Sequence, residues 1–490
     1  MPGDRMRIVA VPAIALTAVA VASARAGAEE SAPSLPAALR QLSDVNGIRS
    51  ALERQGIRFA FTYYGDTFVN PTGGIRQGAG YAGRFGTIID ADLERLLGWQ
   101  GAAFHASIHQ IHSTEFSTTN LANLMPVSGI EAPPSSRLFN LWIEQTLGSH
   151  LNLRLGQFTA AQEFLTSVNA NLFINATFGW PMSAAHDLPS SGPAYPEATP
   201  GARLAWTPND RITVRAAVFN GDPSGAGFGN AAQQDPFGLA FRVNDPPFVI
   251  VESAYQWGAK MPDGSAAPGN PNQEGAATDS KPPRHRANHD ASHDADPPGS
   301  LKLGGWVHTG GFADQRFDNQ GGLLAASGGP PAQHRGNSAV YAVLDQQLWH
   351  VPGQLARSLN GFLRVSASPE DRNLVDLYAD GGFTFNGPFA ARPDDMIGLG
   401  VAWGRISPWA QASDRDLIAL TGAGMPGRDY ELALELTYQW KLATDWTIQP
   451  DLQLILHPGG HVPSPAANPG VTAAAIPDAL VFGVRTFLKF

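Results

Sequence analysis

The 490-residue sequence contains no cysteine, which excludes disulfides and thiolate chemistry. Charge is also scarce. Only 16% of residues are Asp, Glu, Lys or Arg, and the formal net charge is -10, so the basic patch required by a nucleic-acid partner is missing. Hydrophobic residues make up 43% of the chain. Beyond the N-terminus, no apolar run reaches the roughly 20 residues of a transmembrane helix. Neither G-x-S-x-G nor H-E-x-x-H occurs. The run Gly422-Ala423-Gly424-Met425-Pro426-Gly427 matches G-x-G-x-x-G but leads from a loop into a strand, where a dinucleotide site needs a helix. These absences speak against an enzyme, and no cofactor is called for.

Glycine (53) and proline (39) are abundant, as in a chain of many short elements joined by turns. At the N-terminus, Arg5 and Arg7 precede an apolar stretch from Ile8 to Val21, followed by small residues at Ala22, Ala24, Ala26 and Ala28. This pattern predicts a secretory signal peptide over residues 1–28, cleaved before Glu29. Leu35, Leu39, Leu42, Val45, Ile48 and Leu52 then recur at helical spacing and end at Gly56, which predicts a helical segment within residues 29–56.

From Ile57 to the C-terminus the period changes to two. In the closing stretch Ala479–Phe490, Leu480, Phe482, Val484, Leu488 and Phe490 share one parity, opposite Gly483, Arg485 and Lys489. Tyr430, Leu432, Leu434, Leu436, Tyr438 and Trp440 likewise oppose Glu431, Glu435, Thr437, Gln439 and Lys441. Ten steps of about 3.3 Å give roughly 33 Å of strand, and a tilt near 40° reduces this to the roughly 25 Å apolar band of an outer-membrane barrel. Strands of a soluble sandwich are shorter, about five or six residues.

Short turns at Gly148-Ser149, Thr207–Asp210 and Ala443–Asp445 alternate with long loops near His112–Ser136 and Thr159–Thr199, matching trimmed periplasmic and elaborated outer ends. Seven strands precede Phe219 and eight follow Leu301. Between them, Gly238–Val243 and Phe248–Tyr255 compete for one place, because single-chain bacterial barrels have an even number of strands. The second segment is longer and richer in β-branched residues. The prediction is therefore an all-β, transmembrane antiparallel β-barrel of about 16 strands with a short N-terminal helical segment, its first strand near Arg58–Tyr64 pairing with its last. Gly238–Val243 then falls in an outer loop, and an insertion at about 258–299 falls on the periplasmic side. His285, His289 and His293 lie in that insertion. Imidazole and carboxylate both ligate divalent ions, but Pro, Gly and charge dominate, so the stretch reads as a solvated insertion and no metal site is assigned.

Several stretches together carry a family resemblance: Phe178-Gly179-Trp180-Pro181, Gly192–Pro196, Pro200–Arg203, Ala217–Pro223, Tyr341–Gln346, Glu435–Tyr438, and Gln449–Leu452 through His457–Gly460. Over nearly the whole mature chain, the sequence resembles the carbohydrate-selective porins of the OprB family. The resemblance implies a sixteen-stranded barrel in the Gram-negative outer membrane that passes monosaccharides such as glucose by facilitated diffusion. A general or small-acid-selective porin is the alternative. Its insertion at about 258–299 departs from the family, which has a short turn there.

A sugar channel needs weak, repeated binding. Hydroxyls pair with multidentate Arg, Asp and Glu, and a flat pyranose face packs on aromatic rings. The polar strand faces supply Trp142, Glu144, Arg154, Arg203, Arg215, Glu431, Glu435, Asp451 and Arg485 as lumen candidates, and the loop residue Trp180 is either a stacking platform or a loop anchor. The partners implied are a carbohydrate solute, outer-membrane lipid and the barrel-assembly machinery. Monomer and trimer both remain open.

Overall fold

The computed structural model describes residues 34–227, 230–258, 297–465 and 473–490. The predicted signal peptide lies outside them, as does all but the two ends of the 258–299 insertion with His285, His289 and His293. The described chain begins with helices α1 (Leu35–Ser43) and α2 (Ile48–Gln55). Gly56, in the left-handed conformation at φ 102°, ends α2 and turns the chain into the barrel. Arg49 ties α2 to the wall by donating to the Phe59 carbonyl at 2.7 Å.

Sixteen strands follow. The first eight are β1 (Ile57–Thr72), β2 (Gly78–Asp92), β3 (Ala102–Ser113), β4 (Ser135–Leu147), β5 (Leu151–Phe158), β6 (Thr199–Asn209), β7 (Ile212–Asn220) and β8 (Pro247–Trp257). The second eight are β9 (Gly299–Asp318), β10 (Pro331–Val351), β11 (Gln354–Ala367), β12 (Val375–Asn386), β13 (Met396–Ile406), β14 (Tyr430–Ala443), β15 (Trp446–Leu456) and β16 (Ala479–Lys489). Each pairs antiparallel with its sequence neighbours, and β16 returns to β1 to close the barrel. The expected strand number and closure hold. Phe248–Tyr255 lies within β8, and Gly238–Val243 belongs to no strand.

The closing register differs from the expected one. Pairing runs from Thr62↔Lys489 to Thr72↔Leu480, so Ile57–Phe61 at the start of β1 extend past the end of β16, and Ile57–Ala60 pair only with β2. Strand tilt is the cause: closing a tilted sheet staggers its two end strands. Phe490 exchanges backbone hydrogen bonds with Phe61 at 2.8 and 2.9 Å, which carries the seam one residue pair beyond β16.

Side-chain parity separates two environments. On β16, Phe482 and Val484 are about half exposed on the outer face, while Val481, Gly483, Arg485 and Phe487 point inward and are buried. On β14, Leu434, Leu436 and Trp440 face out, and Glu431 and Glu435 are fully buried. Trp206, Trp349 and Trp440 are exposed near the short-turn ends of their strands, and Tyr255 is exposed at the same end of β8, forming an interfacial aromatic belt.

The interior departs from an open, water-lined tube. Segments 114–134 and 159–198 fold inward and bring apolar side chains with them. Phe116, Leu121, Met125, Phe173, Ile174 and Phe178 share one buried cluster with the inward faces of β1 and β11–β16. Phe164, Leu165, Trp180 and Leu188 share a second with β4, β5 and β7–β10. Burying these side chains removes their apolar area from water at about 25 cal/mol per Å², which drives the loops into the barrel.

Deleting Phe490 removes both hydrogen bonds to Phe61 and ring contacts with Phe61 and Phe85 at 5.7 and 6.5 Å. The fraction of heat-modifiable, assembled barrel on a gel is expected to fall, while the solute preference of the barrels that do assemble stays unchanged.

Candidate channel lining

The chain between β5 and β6 lies across the barrel and is held by side chains from many strands. Glu252 on β8 accepts from the Leu165 amide at 3.1 Å and from the Tyr341 hydroxyl at 3.0 Å. Lys302 on β9 donates to the Thr166 carbonyl at 2.6 Å, and Asp345 on β10 accepts from the Ser167 hydroxyl at 2.6 Å. Arg364 on β11 donates to the carbonyls of Leu165 and Thr177 at 2.7 and 2.8 Å and is neutralised by Asp380. On β14, Glu435 accepts from the amides of Ile174 and Asn175 at 2.6 and 2.9 Å. Gln449 on β15 donates to the Leu172 carbonyl at 2.7 Å.

These contacts answer a requirement of the loop itself. An irregular segment carries backbone groups that no ladder satisfies, and burying each one unpaired costs roughly 1–3 kcal/mol. The polar inner strand faces supply the missing partners. The inner face of β13 contributes space instead: a Cβ at Gly400 would come within 2.8 Å of Phe173 and 2.9 Å of Phe178, so the loop can lie against the wall only where side chains are absent.

This arrangement divides the sequence-predicted residues into two groups. Glu431 accepts from the amides of Leu124, Met125 and Gly459, each at 2.7 Å, and Glu435 holds the loop as described. Arg485 forms a bidentate pair with Asp66 at 2.8 and 2.7 Å, and Asp66 also accepts from Ser128 at 2.5 Å. Asp451 accepts from Gln453 at 2.8 Å and is 5% exposed. Trp180 is 6% exposed and donates its indole N–H to the Ser191 carbonyl at 3.0 Å, which makes it a loop anchor. The structure thus engages these five with the inward loops or with neighbouring wall residues. The loops were legible as long connections, but their inward course was not.

Trp142, Glu144, Arg154, Arg203 and Arg215 form the second group, on neighbouring strands β4–β7. Glu144 accepts from Arg154 at 2.7 Å and from Arg203 at 2.8 Å through the same Oε2. Glu163, from the loop, faces the same two guanidiniums at 3.0 and 2.6 Å. The result is a closed box of two arginines and two carboxylates, with 5–11% of each side chain exposed. The Arg154 guanidinium lies 3.8 Å from the Trp142 ring centroid, and Trp142 stacks on His105 at 4.8 Å. His105 in turn pairs with Asp90 at 2.8 Å. Beside the box, Arg215 keeps 31% of its side chain exposed and lies 3.7 Å from Glu252.

Glu163 lies in a loop, outside the strand-face reading, and its sequence context carried no signal. Burial pushes its carboxyl up, but Arg154, Arg203 and Arg215 outweigh that effect and hold it below the usual carboxylate range. Asp66 and Glu252 sit at inward parity and were accessible to the same periodicity that found Arg485 and Arg215.

A sixteen-stranded antiparallel barrel with a lipid-facing apolar outside and loops folded into its lumen defines an outer-membrane porin. The chain belongs to the carbohydrate-selective porin OprB family, whose profile matches residues 76–490. It is 24% identical over 468 residues to Porin B of Pseudomonas aeruginosa, spanning 91% of this chain and 92% of that protein. In fold it is similar to the high-pH structure of Pseudomonas putida OprB, with a TM-score of 0.73 and 22% identity over 91% of this chain and 97% of that one. The low-pH structure of the same porin aligns with a TM-score of 0.50 and 16% identity over the same shares of the two chains.

Replacing Glu435 with Ala leaves the buried amides of Ile174 and Asn175 without an acceptor. Loss of this latch is expected to loosen the inward loop and raise single-channel conductance and current noise in planar bilayers. A second effect depends on pH. Glu131 in the 114–134 loop accepts from the Ser117 amide and hydroxyl at 2.7 and 2.8 Å, but burial dominates and raises its carboxyl from the ordinary 4.5 to about 7. A raised carboxylate pKa destabilises the fold increasingly as pH climbs from 4.5 towards 7, with the full penalty above 7. Glu131→Gln should therefore melt with wild type at acidic pH and above it at alkaline pH, as read by thermal unfolding at both.

Proposed function

We propose that this porin selects neutral monosaccharides such as glucose, and that the Glu144–Arg154–Arg203–Glu163 box with Arg215 forms the polar track of its narrow region. Charge balance within the box carries this reading. Two guanidiniums face two carboxylates at hydrogen-bond distance, so the box presents fixed donors and acceptors without a net charge to attract an ion. A solute bearing many hydroxyls exchanges hydrogen bonds with such a surface at little electrostatic cost. Stacking of Arg154 on Trp142 holds the guanidinium plane, so less rotamer entropy is lost when a sugar binds. Affinity stays low because the groups already satisfy one another, and a low-affinity track is what flux requires. Insertion by the barrel-assembly machinery and a monomeric or trimeric state complete the proposal. The aromatic C-terminal residue supports the first, and crosslinking in native membranes distinguishes the two assemblies.

Liposome swelling compares glucose with a neutral non-sugar of equal size and with a small organic acid. Faster entry of glucose than of either is the expected result; equal rates for the two neutral solutes would indicate a size filter, and faster acid entry an anion channel. At the residue level, Arg215→Ala should weaken sugar block of single-channel current by roughly tenfold. This equals the loss of one charge-assisted hydrogen bond of about 1.5 kcal/mol.

A further inference from the structure

At the outer end of the barrel, the chain leaving β15 reads His457-Pro458-Gly459-Gly460-His461. It makes a tight reversal in which His457, Gly459, Gly460 and His461 all take left-handed backbone, with φ of 53°, 70°, 76° and 74°. The reversal stacks the two imidazoles with ring centroids 4.3 Å apart and planes within 15°. Both Nδ1 atoms are thereby turned towards one carboxylate, that of Asp429 at the start of β14. His457 Nδ1 lies 2.8 Å from Oδ1, whereas His461 Nδ1 lies 3.9 Å from Oδ2, beyond hydrogen-bond range. The three side chains keep 25%, 33% and 39% of their surface exposed, so an ion from solution reaches them.

We infer that Asp429, His457 and His461 form a surface site for a borderline first-row divalent cation of the zinc type. The donor set is the argument. Two imidazoles and one carboxylate suit Zn2+ over Ca2+ or Mg2+, which prefer oxygen alone. All ligand atoms lie within 4.8 Å of one another. Tetrahedral zinc with bonds of about 2.0–2.1 Å places its ligands roughly 3.4 Å apart, so small side-chain rotations close the site and leave the fourth position to water. A hydrogen-bonded Asp–His pair alone accounts for His457 but gives His461 no role, although His461 adopts an uncommon backbone conformation beside it.

The supports are built as for a fixed site. Asp429 is positioned through its backbone, which accepts from Ile406 at 2.8 Å and donates to the Gly460 carbonyl at 3.0 Å. Gly459 donates to Glu431, which also holds Leu124 and Met125 of the inward loop. A bound cation therefore joins the β15–β16 loop to β14 next to the segment that folds into the barrel mouth. The sequence assigned no metal site because Asp429 and the two histidines are far apart along the chain and meet only at the rim.

The test titrates ZnCl2 into the purified full chain in detergent. The parent carries His285→Asn, His289→Asn and His293→Asn, so that the other imidazole cluster does not contribute. One zinc per chain is expected by calorimetry, with a rise in melting temperature on zinc addition. Introducing His461→Asn, a residue that tolerates left-handed backbone, should weaken binding at least about tenfold and abolish that rise, leaving the metal-free melting temperature in place. Asp429→Asn should do the same, and it carries the test if His461→Asn fails to assemble. With Co2+ as the probe, the visible absorption of imidazole-bound cobalt should appear in the parent and vanish in either variant. Zinc binding of equal strength in the parent and the assembled variant, or none in the parent, overturns the inference.

Discussion

A backbone crossing hydrocarbon finds no water to hydrogen-bond, so each N–H and C=O must be satisfied within the sheet. Closure between β1 and β16 meets that condition, and much of the remaining structure follows from it. A closed, tilted sheet presents one face to lipid and the other to its own interior, so every strand must alternate in polarity. The stagger that leaves Ile57–Phe61 beyond the end of β16 is the geometric result of closing tilted strands. The exchange of backbone bonds between Phe61 and Phe490 carries the seam one residue pair beyond β16.

The interior has a different problem. A barrel of sixteen strands is wide enough to leave an aqueous hole, and selectivity requires that hole to be narrowed. The narrowing element is irregular chain, which brings unpaired backbone groups into a dry space. Glu252, Lys302, Asp345, Arg364, Glu431 and Glu435 are charged side chains that satisfy those groups, at distances from 2.6 to 3.2 Å. Buried charge is costly unless paired or hydrogen-bonded. Here its role is positional: it fixes the course of a loop that has no regular structure to guide it. On the β4–β7 side Glu163, a residue of the inward loop, pairs with Arg154 and Arg203 of the wall, so the loop is tied there by a charge-balanced cluster.

Much of the fold was legible. Strand periodicity depends only on which face meets lipid, so Leu434 and Glu435, or Val484 and Arg485, disclose their directions without any knowledge of their neighbours. The even-number rule, with the greater length and β-branched content of Phe248–Tyr255, then placed β8 and put Gly238–Val243 outside the sheet. The lining was legible only as far as the inward face. Arg485 and Arg215 carry the same pattern, yet one is sealed against Asp66 and the other is 31% exposed. The difference depends on which stretch of loop lies over each, and loop paths are set by contacts distant in sequence.

Local alternation, composition and turn residues were thus sufficient to determine a transmembrane antiparallel barrel, its strand number and the orientation of its side chains, because the bilayer imposes the same short-range rule on every strand. Tertiary structure alone decided which inward polar residues latch the loops and which gather with Arg154 and Arg203. It also brought Glu163 into the arginine box, and Asp429 to His457 and His461 at the rim. Those meetings join residues from separate hairpins, whose relative positions depend on barrel closure and loop packing and on no periodicity within the chain.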